Sequence, residues 1–203
     1  MIIQDIGQQH LTRIQPTTEG IHTWRTYLKG YQFNKKYPDD AYVWLTCILA
    51  LKAVEVGNFG VGCILINNQG DLLAQGHNKI FHPYFRSDRH AEMVVMDDFE
   101  DAHPEPTGLS VYTLYTSLEP CPMCLVRLST SGINKILFAA PDVPGGMVHR
   151  MNNLPPFWFE LAQGKIFSQA QCSPDLVHAA TQILLLNLDE LTTEVKVRQR
   201  KMR

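Results

Sequence analysis

The chain has 203 residues, 45% of them hydrophobic, 19% charged and 9% aromatic, which excludes collagen-like, low-complexity and wholly disordered chains. A chain of this length suits one domain with a core that needs no disulfide staples. Its net charge of −2 hides an asymmetry: Lys196, Arg198, Arg200, Lys201 and Arg203 crowd the C-terminus, leaving 13 basic against 20 acidic residues, or −7, in the body, a poor platform for phosphate backbones.

Residues 1–38 are polar and weakly patterned and read as an N-terminal extension, with a short helix around Ile21 to Leu28. Their start lacks the basic region of a secretory signal, so a cytoplasmic location is expected. From Ala41 the pattern sharpens. Trp44, Cys47, Ile48 and Leu51 follow helical spacing, with Asp39 or Asp40 as N-cap and Gly57 just beyond the end. The same stretch is the longest apolar run, but Thr46 and Lys52 keep it well short of the ~18 residues of a membrane span.

Val61 to Ile66 and Leu72 to Ala74 flank Asn67-Asn68-Gln69-Gly70-Asp71, the pattern of a β-hairpin. A loop from His77 to Arg86 leads to a helix capped by Ser87 or Asp88 and running to about Asp101. A strand (Val111 to Tyr115), a helix (about Pro120 to Leu128) and a strand (Ile136 to Ala140) follow. Residues 141–156 form a long loop and Phe157 to Leu161 a short helix. Ser173-Pro174-Asp175 opens a final helix with Leu176, Ala179, Ala180, Ile183 and Leu184 on one stripe. Elements in this order predict an α/β protein, a three-layer α/β/α sandwich, with residues 39–203 as one domain.

Five cysteines cannot all pair, and the chain is not a small secreted scaffold, so a disulfide framework is not expected. Cys47 and Cys63 lie in apolar segments and read as buried thiols. Cys121 and Cys124 are different. They stand in Pro120-Cys121-Pro122-Met123-Cys124, at the start of a predicted helix, and His90-Ala91-Glu92 stands at the start of another. A helix start offers free N–H groups and the positive end of the macrodipole, which favour thiolate. Three residues apart on a first turn, both sulfurs face one side.

One imidazole and two thiolates make three ligands of a tetrahedral zinc ion, with the fourth position left for water, the arrangement of a catalytic site. Zinc brings the pKa of such a water from 15.7 to about 7. Glu92, two residues after His90, is placed to take its proton and return it to a substrate. Two other readings stand beside this one: a thioredoxin-like redox pair, which would leave His90 and Glu92 unexplained, and half a structural zinc ribbon, which would need a second cysteine pair.

The two motifs, in this order, match the known signature of zinc deaminases that act on nucleobases. From about Ala41 to Ala140 the chain resembles the cytidine and deoxycytidylate deaminase superfamily, most closely at residues 58–62, 76–80, 90–92 and 117–124. It looks most like the branch holding guanine deaminases, tRNA adenosine deaminases and fungal-type cytosine deaminases, which uses His-Ala-Glu, a Pro-Phe-Gly-Ala-like segment and Gly-x-Asn. Here the latter two appear as Asn58-Phe59-Gly60-Val61 and Gly76-His77-Asn78. The chain departs from that pattern in having Asn58 in place of proline, and residues 1–38 and 141–175 have no clear counterpart; in the latter, the long loop with Asp142, His149 and Arg150, followed by Phe157-Trp158-Phe159, reads either as a substrate lid or as a surface loop pinned by aromatic packing.

The resemblance implies a mixed sheet of about five strands and one Zn2+ per chain held by His90, Cys121 and Cys124, with Glu92 as the proton shuttle. It also implies that Asn78 bonds the base edge, that the Ala91 N–H meets a ring carbonyl, that Phe59 packs on the ring, and that the Glu119 carbonyl faces the leaving ammonia. Asn78 as a turn residue and Phe59 as a core aromatic are the plainer alternatives. The expected activity is hydrolytic removal of the exocyclic amine of a free nucleobase or nucleoside, a guanine-type purine first and a cytosine-type base second, by a homodimer. The alternative is a tRNA adenosine deaminase, suggested by the basic tail. A non-catalytic, zinc-stabilised binding protein is the third class.

Overall fold

A computed structural model describes residues 2–104 and 107–201. Five strands form one mixed sheet: β1 (Gly62–Ile66), β2 (Leu72–His77), β3 (Thr113–Leu118), β4 (Lys135–Ala140) and β5 (Ile166–Gln169), in the order β2-β1-β3-β4-β5. β1 runs antiparallel to β2 and β3, while β3, β4 and β5 are mutually parallel. The hairpin takes its antiparallel pairing from the tight 67–71 turn, where Asn67 Oδ1 accepts the N–H groups of Gln69 and Asp71. The parallel strands are joined by helical crossovers.

Among the described residues, eight α-helices flank the sheet. α1 (Ile3–Arg13), α2 (Glu19–Lys29), α3 (Asp40–Glu55) and α7 (Pro174–Leu185) build up one side, and α4 (Ala91–Ala102) and α5 (Pro122–Thr130) lie on the other. α6 (Pro156–Gln163) packs beside α5, and α8 (Leu188–Lys201) follows α7. Strand side chains alternate between two cores as a two-residue period requires: Ile64, Ile66, Tyr115 and Leu137 join α3 and α7, whereas Cys63, Leu65, Leu114 and Ile136 join α4. This is the expected α/β/α sandwich. None of these helices is long and apolar enough to cross a membrane, and all five cysteines are free.

Several elements differ from the sequence expectation. The short helix expected near Ile21 is α2, capped by Thr18 Oγ1, which accepts the Ile21 N–H. α1 precedes it where the pattern gave nothing. Both lie over the outer face of α3, where the Trp44 indole N–H donates to the Leu28 carbonyl at 2.8 Å. Hence α3 is buried without a break from Val43 to Leu51, rather than along one stripe. The final helix is two helices, α7 and α8, meeting at Leu186 and Asn187.

Asp39 stands at the N-cap of α3, but its side chain does not cap. Its carboxylate accepts the Tyr115 hydroxyl and the Gln171 N–H, both at 2.7 Å, and Asp40 accepts the Ser173 N–H at 2.7 Å and the Tyr31 hydroxyl at 2.8 Å. Two adjacent buried carboxylates thereby fasten the start of α3 to β3, to the entry of α7 and to the segment after α2. Asp39→Ala would leave two donors without partners. It is expected to lower unfolding stability by about 2–4 kcal/mol, read as a shift in the urea unfolding midpoint at unchanged slope.

Candidate metal centre and substrate cavity

α4 and α5 both begin one residue after a candidate ligand. His90 and Cys121 occupy the two N-cap positions with extended backbone, and neither helix has a side-chain cap there. The sequence reading put Ser87 or Asp88 at the first cap and began the second helix at Pro120. Asp88 is instead paired with Arg86 at 2.6 Å, and the second helix opens on Pro122. Proline at the first helical position gives up an N–H that the helix does not use. Cys124 lies on the same first turn, fully buried.

The ligand atoms of His90, Cys121 and Cys124 all lie within 4.8 Å of one another, so they can share one ion. Cys121 Sγ is 3.5 Å from His90 Nδ1. One nitrogen and two sulfurs are a donor set suited to zinc, and three ligands leave a face for a fourth. A hydrogen bond with Cys124, aided by His90, holds Cys121 down at about 4 against the opposing effect of burial. The same bond and burial push Cys124 well up. For His90, burial is the strongest influence and lowers the pKa, but the bond to Cys121 and the nearby charges of Cys121, Glu92 and Asp88 together outweigh it, and the net shift is upward.

Glu92 is 4% exposed and lies next to this group. Cys124 Sγ donates to Oε2 at 3.4 Å and Thr116 Oγ1 donates to Oε1 at 3.2 Å. Burial, then the nearby Cys121, raises its pKa above the ordinary carboxylate value, so it holds a proton more readily than an exposed acid. Thr116 went unnoticed in the sequence, where a threonine in a strand signals only β-propensity. A cavity of about 630 Å³ opens beside His90, Glu92 and Cys121.

All four expected substrate contacts line that cavity. Asn78 is buried and its Oδ1 accepts the Ile80 N–H, so it is also a turn residue. Phe59 sits edge-on to Phe81 at 5.7 Å, so it is also a packing aromatic. Ala91 is on the first turn of α4, and Glu119 leads into the cysteine segment. Asn58, standing where the resembled branch has proline, is buried. Its Oδ1 accepts the N–H groups of Phe81 and His82, and its carbonyl accepts Asn187 Nδ2 at 2.8 Å. Together those bonds tie the 78–86 loop to the α7–α8 junction, and the two made by Oδ1 are ones a proline could not make.

Of two further walls, only the 141–156 loop was foreshadowed in the sequence, as a candidate lid. Leu188, Asp189, Thr192 and Val195 of α8 line the cavity, as do Asp142, Pro144 and Gly145 of the 141–156 loop. The aromatic run of that region is not among them: Phe157 is 62% exposed. Of the basic tail, Arg198 lies over the Phe85 ring at 4.4 Å and pairs with Glu194, while Arg203 is outside the described residues.

The family model "Cytidine and deoxycytidylate deaminase zinc-binding region" matches residues 37–140. A tRNA-specific adenosine deaminase of Bacillus subtilis is 37% identical over 116 residues, covering 57% of this chain and 70% of the relative. Its Aquifex aeolicus namesake is 33% identical over 106 residues, covering 52% and 68%. Among solved structures, one from a study of A-to-I editing by tRNA:A34 deaminases has a TM-score of 0.56 at 23% identity, covering 68% of this chain and 94% of its own. Guanine deaminase from Nitrosomonas europaea has a TM-score of 0.57 at 18% identity, covering 79% and 91%. These two likenesses concern the fold. Cys121→Ser and Cys124→Ser are each expected to cut bound zinc far below the one ion per chain of the unaltered protein, measured by elemental analysis after desalting.

Proposed function

The chain belongs to the cytidine and deoxycytidylate deaminase zinc-binding family, whose members are hydrolases of C–N bonds, and on that premise we propose that it deaminates adenosine in tRNA to inosine. The observation that carries this reading is the match to the Bacillus subtilis enzyme across most of that protein's length. It gives the tRNA alternative more support than the guanine-type base expected first. A cytoplasmic homodimer, with residues 1–38 as an extension of the deaminase domain, is part of the same proposal.

Zinc held by His90, Cys121 and Cys124 would supply the Lewis acidity that makes hydroxide available at neutral pH. The chain's own residues do the rest. Asn78, Ala91 and Phe59 would hold the adenine ring in the cavity. Glu92, buried and fixed by Thr116, carries one proton from the attacking water to the ring nitrogen, and then the second, from the new hydroxyl, to the departing amine. Water adds at C6, the bond from C6 to the exocyclic nitrogen breaks, and ammonia leaves.

A second reading, a free guanine-type purine, has one observation in its favour. Asp142 and Asp189 both line the cavity, and two carboxylates there oppose a phosphate chain. The zinc-loaded protein should form inosine in tRNA, with binding that weakens steeply as salt rises. Ammonia from guanine, with no inosine in tRNA, would instead establish the second reading. No turnover of tRNA, purines, pterins or pyrimidines would leave a zinc-stabilised binding protein. Glu92→Gln is expected to keep its zinc and lose turnover by about 10²–10⁴-fold, which a role in folding alone would not produce.

A further inference from the structure

The Glu119 side chain is 2% exposed, although the deamination chemistry makes no use of its carboxylate. Oε2 accepts the Asp142 N–H at 3.0 Å. Oε1 accepts the His149 N–H at 2.9 Å and bonds His149 Nδ1 at 2.7 Å. The adjoining backbone adds two more bonds: the Glu119 N–H donates to the Ala140 carbonyl at 2.8 Å, and the Pro120 carbonyl accepts the Met147 N–H at 2.9 Å. Both ends of the segment from residue 142 to residue 149 therefore come to Glu119 and Pro120.

That segment has no strand or α-helix to organise it. Inside it, Asp142 accepts the N–H groups of Gly145 and Gly146, and Arg150 Nη2 donates to the Val143 carbonyl. Two backbone N–H donors and an imidazole nitrogen converge on the two side-chain oxygens of Glu119, the arrangement that suits a carboxylate. Gly146 completes the fit. A Cβ there would stand 2.5 Å from the Glu119 carboxyl carbon and 2.7 Å from the Asp142 carbonyl oxygen. Only a residue without a side chain lets the loop settle onto this acid.

We propose that the Glu119 carboxylate is a positioning residue that clamps residues 142–149 as a preformed wall of the substrate cavity, through Asp142, Pro144 and Gly145. The proposal rests on the reading that this cavity takes the substrate. It gives Glu119 a role distinct from that of its backbone carbonyl. A wall fixed in advance spares the substrate the cost of ordering it, so the clamp acts on binding more than on the chemical step.

Two substitutions break the clamp from opposite sides. Glu119→Gln keeps the shape but turns an amide N–H₂ towards N–H donors, and Gly146→Ala keeps the acid but pushes the loop off it. Both are expected to retain zinc and to speed amide exchange across 142–149 by about tenfold or more, the loss of charge-assisted bonds being of that size. On the active substrate KM should rise by about tenfold while kcat falls less. If Glu119→Gln fails to fold, Gly146→Ala carries the test, with His149→Phe removing one contact and giving a smaller change of the same sign. Unchanged exchange in folded variants overturns the proposal, and so does zinc loss from Gly146→Ala. Absence of inosine with the unaltered protein would count against the adenosine reading alone, because exchange and zinc content are measured without any substrate.

Discussion

The first turns of two helices have to begin at one corner of the sheet. His90 and Cys121 sit one residue ahead of α4 and α5, where the backbone is still extended and the first N–H groups are unclaimed. That position points both side chains away from their own helices and into the space between them, and Cys124 closes the group from the next turn. If either helix began a residue earlier or later, the three donor atoms would no longer share a point. The parallel pairing of β3 and β4, and the antiparallel seat of β1 between β2 and β3, fix where those helices start. The site thus depends on sheet register before it depends on any particular contact.

Much of this was written in short-range pattern. The hairpin, the spacing of Cys121 and Cys124 and the pairing of His90 with Glu92 all lie within a few residues, so sequence periodicity and motif spacing carry them. What was not legible involves partners far apart in the chain. Asp39 looked like a helix cap because aspartate before an apolar run usually is one, yet its acceptors are used by Tyr115 and Gln171. Asn58 showed only as a departure from a pattern, and its bonds to the 78–86 loop and Asn187 need the tertiary fold. The α8 wall was hidden because its apolar positions are few and its charged end drew attention to solvent and nucleic acid.

Substrate choice is a contest between two electrostatic facts. A tail rich in lysine and arginine favours a polyanion, but Arg198 already serves Glu194 and Phe85. The cavity, in contrast, is apolar over Phe59, Ile80 and Leu188 and carries Asp142 and Asp189. A nucleotide flipped out of a folded RNA would bring one uncharged base past those carboxylates while its phosphates stay outside. The acidic rim and an RNA substrate are therefore compatible if the backbone never enters.

The wrapping of α3 has a consequence for how the molecule comes apart. A helix sealed by the sheet beneath it and by α1, α2 and α7 elsewhere has no side from which water can reach its amides without wholesale opening. The metal corner, by comparison, is built on helix ends and loops. Stripping the ion with a chelator would then unsettle a rim while the spine of the molecule keeps its shape, so an emptied protein should accept zinc again without having to refold.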